Sequence, residues 1–169
     1  MSKPKIAVII GSIRPTRFGD KPANWIADLA KARGDFEVEI VDLADYPLPL
    51  FDAAASDFWM PTPNPVAAKW QAKLNEFDGY VIVTAEYNRS VPGALKNAID
   101  WVSRDPKQPF AGKALGIIGA SPGNYGTARM QPHLRQIAVF LDLVVVNKPE
   151  LLVTQAKTKF SDEPEPRLT

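Results

Sequence analysis

The sequence predicts one doubly wound α/β domain built on a parallel sheet. Three observations carry this reading. Five short strand-like runs punctuate the chain, close to residues 5–10, 36–41, 80–83, 113–119 and 143–146, and most are apolar throughout, as strands buried on both faces are. Stretches with apolar residues at helical spacing separate them. Strands that alternate with helices need crossover connections, and right-handed crossovers place helices on both faces of the sheet. The 169 residues fit a single domain, expected over 1–160, with a polar tail over 161–169.

Lys5 to Ile10 reads as the first strand, and residues 11–20 as the loop that follows. Ala23, Ile26, Ala27 and Ala30 then define one helix face. Asp20 is the expected N-cap, Pro22 fits the first turn, and Gly34 ends the helix. Phe36 to Val41 alternates apolar and acidic residues, the pattern of an edge strand with one wetter face. Residues 43–65 cannot be regular, because Pro47, Pro49, Pro61, Pro63 and Pro65 interrupt them. Their apolar members, among them Leu48, Leu50, Phe51, Phe58, Trp59 and Met60, need a covering surface. A helix with Trp70, Leu74 and Phe77 on one face precedes the central strand, Tyr80 to Val83. The next helix carries Ala94, Leu95, Ala98, Ile99 and Val102 on one face. Lys113 to Gly119 is the fourth strand, with glycines that mark close packing. Met130, Leu134, Ile137 and Leu141 form the last stripe, around Pro132, and Leu143 to Val146 is the fifth strand.

Composition narrows the function. Apolar residues make up 46% and charged residues 23%, with a net charge of +1, so neither a nucleic-acid surface nor a basic membrane patch is indicated. The absence of cysteine excludes thiol catalysis and cysteine-ligated metals, and a single histidine, His133, excludes a histidine-rich zinc site. No apolar run approaches membrane-spanning length and no signal peptide is evident, so a cytoplasmic location is expected.

Three loops, residues 11–20, 85–93 and 120–126, follow three buried strands and should emerge on the same sheet edge, where open parallel sheets bind ligands. The first offers Gly11, Ser12, Arg14, Arg17 and a helix start, a combination that favours a phosphate. Asp20 would set a negative charge beside it unless its side chain is engaged in capping. Neither a Walker motif nor a Gly-x-Gly-x-x-Gly turn is present. The other two loops are rich in backbone donors and carry Tyr87 and Tyr125, which suits a flat heteroaromatic ring. One phosphate and one flat ring describe a mononucleotide such as FMN.

Four segments together, Gly11-Ser12-Ile13-Arg14, Pro47 to Asp52, Glu86 to Trp101 and Ser121-Pro122-Gly123, closely resemble the NADPH-dependent FMN reductases, a flavodoxin-like group that includes quinone, azo-dye and chromate reductases. The resemblance implies a five-stranded sheet in the order 2-1-3-4-5, bound FMN, NADPH or NADH as electron donor, a small-molecule acceptor, and a homodimer or homotetramer. Carried over by position, Ser12, Arg14 and the backbone around Arg17, Phe18, Gly19 and Asp20 would hold the phosphate. Glu86, Tyr87 and Asn88 would line the ring, mostly through backbone atoms, and Ser121, Pro122, Gly123 and Asn124 would border its pyrimidine side. The apolar loop from Leu48 to Met60 is the expected contact with a partner subunit. Relatives commonly carry one further helix after the fifth strand; without it, apolar sheet surface on the side of the first helix would be open.

No side chain is needed as an acid or base, since the flavin does the chemistry. His133, Asp100 and Trp101 read as structural, and Glu86 as conformational. The alternative is a non-enzymatic flavodoxin-type carrier, against which the near-neutral charge and the large apolar loop both weigh. A receiver domain would need acids after the first strand, where Gly11-Ser12 stands instead.

Overall fold

β1 (Lys5–Ile10) lies between β2 (Glu37–Asp42) and β3 (Gly79–Thr84), and β4 (Ala114–Ala120) lies beside β3 in the computed structural model, which describes residues 2–160. The tail expected over 161–169 is outside the described residues. β5 (Val144–Val145) completes the order β2-β1-β3-β4-β5, and all pairings are parallel. This is the flavodoxin-like order that the resemblance implies. β2 is at the edge, as its alternating pattern requires.

The fifth strand departs from expectation. Only Val144 and Val145 pair with Ala114 and Leu115; the chain then leaves the sheet and returns as β6 (Leu151–Val153), opposite Ile118 to Ala120. Between them lies Asn147-Lys148-Pro149-Glu150, where Pro149 has no N–H to give to a ladder. One sheet position is thus filled by two short strands.

The helices are α1 (Asp20–Arg33), α2 (Pro65–Leu74), α3 (Gly93–Val102) and α4 (Met130–Phe140). α1 ends at Gly34, whose φ of 76° lets its N–H reach Lys31 O. Its N-cap, however, is Gly19 rather than Asp20, and no side chain caps it. The Asp20 carboxylate is held instead by Arg17, Nε to Oδ1 at 2.7 Å. Asn64 caps α2 by accepting from the amides of Val66 and Ala67, with Pro65 at the first position.

The two faces of the sheet are unequal. α2, α3 and α4 cover one, packing Trp70, Leu74, Leu95, Trp101, Met130 and Leu134 against Ile9, Tyr80, Ile82, Leu115 and Ile117. Among the described helices α1 alone covers the other, with Ala23 and Ala27 against Val8, Ile10, Val83 and Ile118. On that side Val81 is only half-buried and Val144 is exposed.

The proline-rich loop is tied down at one end by α3. Asn97 Oδ1 accepts from Phe51 N, and Pro49 O accepts from both Asn97 Nδ2 and Trp101 Nε1, each at 2.8 Å. The Phe51 ring meets Trp101 edge-on, with centroids 5.1 Å apart. These contacts explain why Pro49 to Phe51 occurs together with Asn97 and Trp101: one helix face holds the loop. Farther along the loop, Phe58, Trp59 and Met60 stand exposed.

Candidate active site

The register of β1, β3 and β4 brings their carboxyl ends level. Ile10 pairs with Val83, and Val83 with Ile118. The loops beginning at Gly11, Ala85 and Ser121 therefore leave the same edge and enclose a cleft of about 430 Å³. That volume lies in the range of about 300–1,000 Å³ typical of small-molecule sites.

In the first loop, Gly11 N donates to Val83 O at 2.8 Å, which fixes the turn to the central strand. Ser12 is buried, and its Oγ shares a 2.6 Å hydrogen bond with Tyr87 Oη, joining the first loop to the second. Arg17 is engaged by its own protein. It donates to Ser12 O at 2.9 Å, to Asp20, and bidentately to both carboxylate oxygens of Asp42 at the end of β2. Burial alone would lower the Arg17 pKa, but hydrogen bonds to Asp42 and Asp20 outweigh it and hold the pKa above its ordinary value. The guanidinium thus neutralises Asp20 and shapes the loop. Arg14 has no carboxylate partner among the described residues, and its guanidinium lies 5.7 Å from the centre of the Tyr87 ring. The amides of Phe18, Gly19 and Asp20, at the start of α1, meet no acceptor among the described residues.

In the second loop, Ala85, Glu86 and Tyr87 line the cleft. The Glu86 carboxylate is engaged by the protein: its Oε2 accepts from the amides of Arg129 and Met130, at 3.1 and 3.0 Å, where α4 begins. Asn88 does not line the cleft. It forms, with Arg89, the exposed tip of a tight turn closed by Tyr87 and Ser90, with φ of 50° and 67° at the two tip residues. Asparagine tolerates such a conformation better than most residues. His133, exposed on α4, braces the turn through a 3.0 Å contact between Nδ1 and Ser90 Oγ.

The third loop contributes Ala120, Ser121 and Pro122. Gly123 and Asn124 turn away from the cleft: Gly123 O accepts from Gln155 N at 2.9 Å, and Asn124 Oδ1 from Gln155 Nε2 at 3.1 Å. Of the thirteen residues expected at the site, Asp20, Asn88, Gly123 and Asn124 lie behind its walls rather than on them. Thr16, Val83, Thr84, Ala85, Ala120 and Lys157 line it in addition. The first five flank residues already singled out. Lys157 comes from a short 3-10 turn (Ala156–Thr158) after β6, and nothing in its sequence surroundings marks it.

The donor set fits FMN. At one end, the Arg14 guanidinium and the three amides at the start of α1 suit a phosphate. Beside them, Ala85, Tyr87, Ala120 and Pro122 contribute a mostly apolar wall to the same cleft.

Residues 4–158 match the family model of the NADPH-dependent FMN reductases. The chain belongs to this family. It is similar to an NAD(P)H-dependent FMN reductase of Pseudomonas aeruginosa, with 39% identity over 92% of this chain and 80% of the relative. It is also similar to a quinone reductase of Escherichia coli K12, with 43% identity over 89% of this chain and 77% of the relative. Among solved structures it resembles FerB, a flavoenzyme NAD(P)H:(acceptor) oxidoreductase from Paracoccus denitrificans, with a TM-score of 0.78, 29% identity, and coverage of 94% and 84% of the two chains. The FMN reductase assignment accounts for a cleft whose one lining carboxylate, that of Glu86, is taken up by backbone amides at the start of α4.

Proposed function

We propose that this FMN reductase transfers electrons from NADPH or NADH to a small acceptor, with a quinone as the preferred class, through FMN held in the cleft between the three loops. The observation that carries this reading is the meeting, in one cleft, of Arg14, which makes no direct ion pair among the described residues, and free helix-start amides with an aromatic and apolar wall. Arg14, Ser12 and the amides of Phe18, Gly19 and Asp20 hold the phosphate. Arg17 keeps that loop in shape. Glu86 and Tyr87 line the ring through their backbone, as do Ser121 and Pro122. Asn88, Gly123 and Asn124 support those walls from behind.

Bound FMN supplies the redox chemistry, accepting electrons from the nicotinamide and delivering them to the acceptor. The protein positions the ring and leaves one side accessible. Glu86 is committed to α4 and takes no part in proton transfer in this reading. The Escherichia coli relative is named for quinones as its substrate class.

The test is a visible spectrum of protein mixed with FMN, desalted, and given NADPH without oxygen. Flavin absorption is expected to survive desalting, bleach with NADPH, and return when benzoquinone is added. Retained flavin that neither NADPH nor NADH bleaches would remove the reductase reading.

The exposed run Phe58, Trp59 and Met60, with Leu50 nearby in sequence, supports a second copy covering this loop as a homodimer or homotetramer. Light scattering on the eluting protein is expected to give at least twice the chain mass of 18.6 kDa, and a monomer would contradict it. A cytoplasmic site of action completes this reading, since reduced nicotinamides are supplied there. No helix among the described residues is long and apolar enough to cross a membrane.

A further inference from the structure

We propose that Lys157, delivered by a strap that joins the third loop to the first, supplies the net positive charge that retains the FMN phosphate. This inference rests on the FMN site proposed above and adds to it a residue from outside the three loops.

The strap begins at Gln155, whose φ of 48° turns the chain back toward the cleft. Gln155 N donates to Gly123 O and Ala156 N to Ser121 O, both at 2.9 Å, so this end is fastened to the third loop. Its other end is fastened to the phosphate loop and α1. Phe160 is buried and packs edge-on against Phe18, with centroids 5.7 Å apart, and against Trp25 at 6.3 Å. Lys157 lies between these anchors, lines the cleft with Arg14, Thr16 and Gly19, and has no ion pair among the described residues.

Charge decides its role. Arg17 is matched by Asp20 and Asp42, which together carry one more charge than it does. Arg14 balances that excess, so these four side chains present no net charge to a phosphate dianion. Glu86 also lines the cleft, but its carboxylate is taken up by the amides at the start of α4; Lys157 is the remaining charged side chain of the lining, and it makes the sum beside the first loop positive. Helix-start amides orient a phosphate, but a net cation supplies the longer-range attraction. Because Lys157 is exposed, its attraction is screened by salt over about 8 Å at physiological ionic strength.

The test compares FMN with riboflavin, which has the same ring and no phosphate, by flavin-fluorescence titration at low salt. Lys157→Ala is expected to weaken FMN about five- to tenfold. Riboflavin should bind equally well to both proteins. Lys157→Arg should restore FMN affinity, and added salt should shrink the difference between wild type and Lys157→Ala. An unchanged FMN affinity in Lys157→Ala, or an equal loss for FMN and riboflavin, would overturn the proposal while leaving the cofactor site standing. A wild-type protein that binds neither flavin would remove the cofactor site and this proposal with it.

Discussion

Arg17→Ala is expected to lower FMN affinity by about 100-fold or more, roughly 3 kcal/mol, although Arg17 is not proposed to touch the phosphate. The side chain is 14% exposed and holds Asp20, Asp42 and the Ser12 carbonyl at once. Its removal leaves two carboxylates unpaired, one of them on the first residue of α1, beside the anion. It also frees the first loop from β2. Part of the loss should therefore return when Asp42→Asn is added, because one of the orphaned charges is then gone. Fluorescence titration of the single and double variants checks this. A single variant with near wild-type affinity, or a double variant no better than the single, would mean that the network does not shape the site.

Gly119→Ala is expected to cost about 3 kcal/mol of stability, at the upper end of core overpacking, and to lower the melting temperature by about 6–12 °C. A Cβ at this position would sit 1.5 Å from Thr127 Oγ1, 2.7 Å from Thr127 Cβ and 3.0 Å from Gly126 O. Thr127 cannot yield easily. It is 1% exposed, its Oγ1 has no hydrogen-bond partner, and its φ of 72° is one that β-branched residues avoid. Thr127→Gly removes both the clash and the strain, so the double variant should recover most of the lost stability. Thermal unfolding of the three proteins settles the matter: if the double variant melts no higher than Gly119→Ala, the obstruction lies elsewhere.

These two cases also mark what the sequence disclosed and what it withheld. Strand identity, the sheet order implied by resemblance, the end of α1 at Gly34 and the three loops that share one sheet edge were legible, because each rests on local pattern or on a contiguous motif. Arg17 was read as part of a phosphate grip, whereas its principal partner, Asp42, is 25 residues away on a different strand. Asp20 looked like a cap for the same reason: local spacing showed the helix start but not the guanidinium that claims its carboxylate. The glycine at 119 signalled close packing without naming Thr127 as the neighbour. Leu143 to Val146 gave a strand pattern, yet the return of the chain as β6 follows from tertiary pairing with β4 and leaves no local trace. Lys157 reaches the cleft only because of that return.

The uneven covering of the sheet sets the proposed flavin site beside its thinly covered face. α1 buries only Pro22, Ala23 and Ala27, all small, whereas α3 buries Leu95, Ala98, Ile99, Trp101 and Val102. Local opening free energies follow such differences in buried contact, so α1 and the edge strand β2 form the unit that frays first. This is also the unit that presents Arg14, Arg17 and the helix-start amides. Without a cofactor, excursions of this unit expose its backbone to exchange and to proteases well below global unfolding. With a cofactor, mass action suppresses those excursions, because an anion bridging the start of α1 to the rigid central strands is released whenever the unit opens. At the proposed site, bound flavin would thus act as a structural fastener for the thin side of the fold as well as its redox centre.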